Sequence, residues 1–135
     1  MTNSTTAALR KALTMLKSRT ALIVRDAEYD TGSTGWTRNT YQQERGWQKH
    51  KRGVGKLKRL LTKAKFCASL LGSDLAFVVS LITIETQNVL ARCDHFPSDK
   101  EWPGQKLLTR QVELIEEARR LLSEQGAAAV HARLA

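Results

Sequence analysis

Residues 54–84 read VGKLKRLLTKAKFCASLLGSDLAFVVSLITI, and this stretch decides the fold. Before the glycine at position 72, leucine and alanine recur at steps of three and four residues, the spacing of one face of an α-helix. After it, Ser73 is a favourable N-cap, and Asp74 suits the positive end of a helix dipole. The stretch therefore predicts two helices, from about Val54 to Leu71 and from Asp74 to about Ala91, with Gly72 ending the first. The inward residues of the first of these helices are expected to be Leu57, Leu60, Leu61, Ala64, Ala68 and Leu71.

The same spacing predicts helices on both sides of this pair. A first helix is expected from about Thr6 to Glu28, and a weaker one from Thr37 to about Lys51. Gly53 and Gly55 separate that weaker helix from the next one. A last helix is expected over residues 105–125, ended by the glycine at 126. The inward residues of the first and last helices are expected to be Leu9, Leu13, Leu16, Thr20, Ile23 and Ala27, and Leu108, Val112, Ile115, Ala118 and Leu122.

These segments together predict a single all-α domain over residues 1–135, folded as a compact bundle of about five helices. A flexible loop is expected near residues 29–36, which are rich in glycine and hydroxyl side chains, and a frayed tail over residues 126–135. The helix that follows Gly72 is apolar almost all round from Leu75 to Ile84, so we expect it at the centre of the bundle.

The apolar runs and the cysteines of the sequence indicate the cellular compartment of the protein. The apolar run from Leu75 to Ile84 is expected to be too short to cross a bilayer, and no apolar run follows the polar N-terminus. The two cysteines, Cys67 and Cys93, are too few for a disulfide framework, and Cys67 is expected to be a small buried residue. These features favour a cytoplasmic protein with reduced thiols.

The positive charge is concentrated in the first half of the chain. The formal net charge is +9, but residues 1–66 hold 15 Lys and Arg against 4 Asp and Glu, whereas residues 67–135 hold 7 against 9. Between residues 45 and 65 there are nine basic residues and no acidic one. They are Arg45, Lys49, Lys51, Arg52, Lys56, Lys58, Arg59, Lys63 and Lys65.

A one-signed run of this kind repels itself unless a polyanion neutralises it. Nucleic-acid phosphates are the natural partner, because their neutralisation releases counterions. The nine basic residues, together with Trp47, are therefore the candidate nucleic-acid-binding residues. Trp36, Tyr41 and Trp47 lie near the run and could stack on bases, although we favour core packing for the tryptophans. A solvated basic face or an acidic protein partner is the alternative, and a membrane surface is disfavoured.

Catalytic and metal-binding patterns are few. The Cys93–His95 segment lacks the second half of a zinc site. Asp26, Glu28 and Asp30 could hold a metal as in some nucleases, but a solvated acidic helix end is the simpler interpretation. We therefore expect no enzyme activity, no cofactor and no metal.

A helix-turn-helix is the remaining motif to test, because the spacing of residues 68–81 fits one. The positions expected to be exposed on its second helix are apolar, which argues against base reading. They are Leu75, Ala76, Phe77 and Val79. An ordinary helix corner is the better interpretation.

In its size, its helical pattern and the basic stretch Arg45–Lys65, the chain resembles the small subunit of multi-subunit CRISPR effector complexes. The resemblance rests on no signature motif. It implies copies that stack head to tail along a ribonucleoprotein involved in antiviral or anti-plasmid defence. The basic face would then hold RNA or a displaced single DNA strand by its backbone, while other surfaces contact protein subunits. A helical protein–protein adaptor, or an accessory DNA-binding protein of a phage or plasmid, is the alternative.

Overall fold

The computed structural model describes the backbone of residues 2–31, 40–94 and 103–134, and the side chains of residues 4–27, 51–93 and 103–125. Four α-helices follow one another: α1 (Thr2–Thr31), α2 (Thr40–Leu71), α3 (Ser73–Asp94) and α4 (Thr109–Leu134). A short 3₁₀ helix, Gly104–Leu108, leads into α4. No strand occurs in the described ranges, so the predicted all-α bundle is confirmed.

One hydrophobic cluster joins all four helices and the 3₁₀ helix. The most extensive helix–helix interface is that between α1 and α2, and α3 packs against both α2 and α4. The predicted inward residues of α1 are all buried. Side chains at this helical spacing share one face, and packing that face against the bundle removes their apolar surface from water. Among the predicted inward residues of α2 and α4, only Leu60, Leu71 and Val112 remain half-buried.

The helix number differs from the predicted five because α2 runs unbroken through Gly53 and Gly55. A Cβ added at Gly53 would lie 3.6 Å from the Ile23 side chain of α1, so this glycine sits where the two helices approach closely. Glycine in a helix interior costs only about 1 kcal/mol, and packing against α1 outweighs that cost. The separation of two helices at these glycines was therefore wrong.

The corner between α2 and α3 is formed as predicted. α2 ends at Leu71, and Gly72 has φ +138°, a conformation that side-chain-bearing residues rarely adopt. Its N–H donates to the Ala68 carbonyl at 3.2 Å, and its carbonyl accepts from the Ala76 N–H at 3.0 Å. The backbone N–H and carbonyl of Gly72 are therefore both hydrogen-bonded, and the chain turns between the two helices without a longer loop.

The other helix ends differ from the predictions. α1 continues to Thr31, and the rest of the predicted 29–36 loop lies outside the described residues. α4 continues through the glycine at 126 to Leu134, so this glycine does not end it. The turn before α4 is 3₁₀ rather than α-helical and begins at Gly104, where φ is +61°.

The position of α3 also differs from the prediction. One side of α3 lies in the core, but Phe77 and Ile84 are 64% and 55% exposed, so α3 is not enclosed by the bundle. The apolar part is longer than the ten residues expected: Ser73–Cys93 is long and apolar enough to cross a membrane by length and composition. Its polar Thr83 and Thr86 are turned inward and buried, as in a helix that packs in a protein core.

Candidate nucleic-acid interface

The candidate site is the outer surface of α2. All seven predicted basic residues whose side chains the structure describes are exposed. We call these seven the α2 basic face: Lys51, Arg52, Lys56, Lys58, Arg59, Lys63 and Lys65. Leu57, Leu61 and Ala64, which interleave with them, are buried at 0%, 4% and 0% exposure. The alternation arises because the inward leucine and alanine positions hold the helix on α1 and leave the intervening positions in water.

The cations form two rows on either side of the buried stripe. Arg52, Lys56, Arg59 and Lys63 follow steps of four, three and four residues, so they lie along one side of the helix. Lys51, Lys58 and Lys65 are seven residues apart, or about two turns, and lie along the other side. Between the rows, on the side farthest from α1, are Thr62 and Phe66. The whole outer half of α2 is therefore flanked by positive charge.

The remaining predicted site residues are Arg45, Trp47 and Lys49. Their backbone belongs to α2, but their side chains lie outside the described residues, as do those of Trp36 and Tyr41. Because α2 is continuous, positions 45 and 49 fall on the same helical line as 52, 56, 59 and 63. From position 45 to position 63, this line of basic positions covers about 27 Å along the helix axis.

Six of the seven cations of the α2 basic face have no carboxylate partner in the part of the chain that the structure describes. Among the described side chains, no carboxylate lies within salt-bridge distance of Arg52, Lys56, Lys58, Arg59, Lys63 or Lys65. The α4 arginines differ: Arg110 pairs with Glu113 at 3.5 Å and Arg119 with Glu116 at 2.8 Å. Neutralisation of these six cations is thus left to another molecule.

Arg120 of α4 pairs with two glutamates of the same helix. Its Nε donates to Glu117 Oε2 at 3.0 Å, and its terminal nitrogens reach Glu117 and Glu124. The hydrogen bond from Arg120 holds the pKa of Glu117 below its ordinary value. The same pairing, first with Glu117 and then with Glu124, raises the pKa of Arg120.

Phe66 is a residue that sequence reasoning missed. It is 65% exposed and lies on the outer side of α2 between the two cation rows. Its neighbours Cys67 and Ala68 are buried at 5% and 0%, so the ring and the core lie on opposite sides of the helix. The signal was present in the sequence, because position 66 falls outside the leucine and alanine stripe of α2.

A buried polar cluster in the core is a second feature that sequence reasoning missed, and it has no signal in the sequence. Gln111 of α4 is fully buried, and its Nε2 donates to Thr20 Oγ1 of α1 at 3.0 Å and to Thr86 Oγ1 of α3 at 2.9 Å. Thr20 in turn donates to the Leu16 carbonyl at 2.6 Å. Gln111 Oε1 has no partner within the described part of the chain. The cluster fixes three helices relative to one another.

The structure describes the other chemical candidates only in part. Asp26 pairs with its neighbour Arg25 at 3.5 Å, and the side chains of Glu28 and Asp30 lie outside the described residues. Cys67 is buried, which confirms the prediction for it, and Cys93 is buried as well, while position 95 is not described. No group of three His, Cys, Asp or Glu that could hold a metal occurs among the residues described.

The residues tested for a helix-turn-helix form a hydrophobic corner. Leu75 and Val79 are fully buried, so neither is available to face DNA as a recognition helix would require. Phe77 is the one exposed residue of the four tested positions, and Ala76 is half-buried. A helix with these residues offers no polar side chain for base edges at the tested positions.

Comparison of the chain with known proteins found no match. No protein-family model matches the chain, and neither the curated proteins nor the solved structures contain a significant match.

Proposed function

We propose that this protein is a non-catalytic nucleic-acid-binding subunit whose α2 basic face contacts the phosphate backbone of RNA or single-stranded DNA. The observation that carries the proposal is the set of six exposed cations on one continuous helix, none of which has a carboxylate partner among the described side chains. Like charges at three- and four-residue steps destabilise a helix, and a bound polyanion relieves that repulsion.

The chemistry of the α2 basic face favours binding that tolerates any sequence. Five of its seven residues are lysines, which act as point charges on flexible stems. Such contacts position a backbone but read no bases. The size of the chain, its helical bundle and this face also support the resemblance to the small subunit of CRISPR effector complexes. A place in a cytoplasmic ribonucleoprotein, beside other subunits or further copies, is part of the proposal.

The test is the salt dependence of binding to a labelled 30-nucleotide RNA and a single-stranded DNA of mixed sequence. We expect the affinity to fall steeply between 50 and 200 mM salt. Reversing Lys56, Arg59 and Lys63 to Glu should weaken binding at least about tenfold and make the salt slope shallower by roughly 2, since each lost phosphate contact removes about 0.7.

The matched control reverses three exposed cations elsewhere, Arg92, Lys106 and Arg110. Both triple variants carry the same net charge of +3, three charge reversals below +9. Binding that survives reversal of Lys56, Arg59 and Lys63 would contradict the proposal. An equal loss in both variants would show that net charge, rather than the α2 basic face, drives binding.

A protein–protein adaptor is the second candidate, and the exposed Phe77 and Ile84 of α3 favour it. Its test is affinity capture from a lysate treated with nuclease. A protein partner that stays bound after treatment, and whose capture is lost with Phe77→Ser and Ile84→Ser, would support the adaptor.

A further inference from the structure

Phe66 is an aromatic ring that the fold leaves in water on the basic side of α2. Its side chain is 65% exposed and points away from the core stripe of Leu57, Leu61 and Ala64. Packing within the bundle therefore does not explain its presence.

The neighbours of the ring along α2 are cations, two hydroxyl side chains and Leu70, which lies four residues after Phe66 and is 59% exposed. Lys63 lies three residues before Phe66 and Arg59 seven before it, so both are on its side of the helix. Thr62 and Ser69, one turn before and one turn after, turn their hydroxyls to the helix backbone: Thr62 donates to the Lys58 carbonyl at 3.0 Å and Ser69 to the Phe66 carbonyl at 2.6 Å. These two hydroxyl side chains therefore do not cover the ring, and Leu70 extends the apolar surface beside it.

An exposed ring beside unpaired cations suits one kind of nucleic acid. Unpaired bases offer a flat π-face that stacks on aromatic side chains, while the adjoining phosphates reach nearby Lys and Arg. In a duplex the base faces are already covered by their neighbours, so the ring could not reach them. From this arrangement, and resting on the proposed function, we infer that the α2 basic face selects single strands, with one base stacked on Phe66 and adjacent phosphates on Arg59 and Lys63.

Phe77 provides a matched control within the same chain. It is 64% exposed, almost the same as Phe66, but it lies on α3. The charged residue one turn before it is Asp74, and Leu81 lies one turn after it. A carboxylate next to the ring repels phosphate, so Phe77 lacks the charge that the inferred contact needs.

The experiment measures the affinity of the full chain for a labelled 12-nucleotide single-stranded DNA and for a hairpin duplex of the same charge. We expect preference for the single strand, and a loss of roughly 5- to 150-fold with Phe66→Ala, the range for one stacked base. Phe66→Trp should retain binding, and Phe77→Ala should leave it unchanged. The salt slope of Phe66→Ala should match the wild type, because no phosphate contact is removed.

A second measurement locates the stacked base directly. Irradiation with an oligonucleotide that contains 5-iodouracil should cross-link it to Phe66, as mapped by mass spectrometry of the digested protein. Helical content and melting temperature of each variant establish that the fold is intact.

The outcomes separate this inference from the proposed function. Salt-dependent binding that is equal for single strand and duplex, or unaffected by Phe66→Ala, overturns the stacking inference and leaves the proposed function standing. No binding of either nucleic acid overturns both. If Phe66→Ala and Phe77→Ala each dissociate an oligomer without changing affinity for DNA, the exposed rings form a protein interface and the inference is wrong.

Discussion

Two windows of equal length, residues 51–65 of α2 and 110–124 of α4, each carry seven charged residues and use them in opposite ways. The α2 window holds only cations. The α4 window holds three arginines and four glutamates, and all of them are engaged in ion pairs within the helix or with Lys17 of α1. The charges of α4 stabilise its own helix, whereas six of the seven cations of the α2 window have no carboxylate partner among the described side chains and are available to another molecule. The informative quantity is therefore whether charges are paired, rather than how many there are.

The two helices are alike in that their inner sides are apolar and buried. Substitutions on these inner sides should therefore have the largest effects on the free energy of unfolding. Leu57 of α2 and Ile115 of α4 are both fully buried. Truncating either to Ala removes buried methyl groups and leaves a cavity, so each variant should lose about 2–5 kcal/mol of unfolding free energy. Urea denaturation followed by circular dichroism measures the loss.

Lys58→Ala, next to Leu57 but exposed, is the control and should change the free energy of unfolding by less than about 0.5 kcal/mol. A small effect of Leu57→Ala would mean that α2 is not anchored on the bundle through its leucine stripe.

Making α2 resemble α4 gives the next largest effect. Arg59→Glu would place a carboxylate three residues after Lys56 and four before Lys63, in the favourable orientation for a helix ion pair. The variant should gain about 0.5–1 kcal/mol in unfolding free energy, because two attractions replace two repulsions. It should also bind nucleic acid more weakly, so stability and binding move in opposite directions.

Arg59→Gln separates the two contributions, since it removes repulsion without adding a pair. It should stabilise the fold by less than Arg59→Glu does, and the difference between the two should shrink in 1 M salt. If Arg59→Glu destabilises the protein, the exposed cations of α2 are not repelling one another in the free state.

Much of the fold could be predicted from residue spacing, because apolar side chains at three- and four-residue steps admit one inward face. The stripes of α1 and α2, the corner at Gly72 and the burial of Cys67 all followed from local pattern. The unbroken course of α2 did not, because it depends on how closely α1 approaches Gly53 through Ile23. Local propensity contains no information about a neighbour that is 30 residues away in sequence.

The candidate site divides in the same way. Exposure of the lysines was predictable, because charged side chains leave the core. The exposure of Phe66 was missed, although position 66 falls outside the leucine and alanine stripe of α2, because phenylalanine is ordinarily assigned to the interior. The burial of Gln111 depends on hydroxyls supplied by two other helices, Thr20 on α1 and Thr86 on α3, which no pattern within α4 reveals.

The smallest predicted effect concerns the paired state of α4. Because its hydrogen bond with Arg120 lowers the pKa of Glu117 below 4.5 in the folded protein, the ionised carboxylate contributes stability that is fully present above pH 4.5. That contribution is lost as the pH falls through the lowered pKa. Thermal unfolding of the wild type and of Glu117→Gln should therefore differ near neutral pH and converge in acid. The pair is exposed, so the difference in melting temperature should be small and should shrink with added salt. A difference that persists well below pH 4.5 would show that Glu117 acts through packing rather than charge. The contrast between the ion pairs of α4 and the six α2 cations that lack a carboxylate partner among the described side chains would then lose its clearest example.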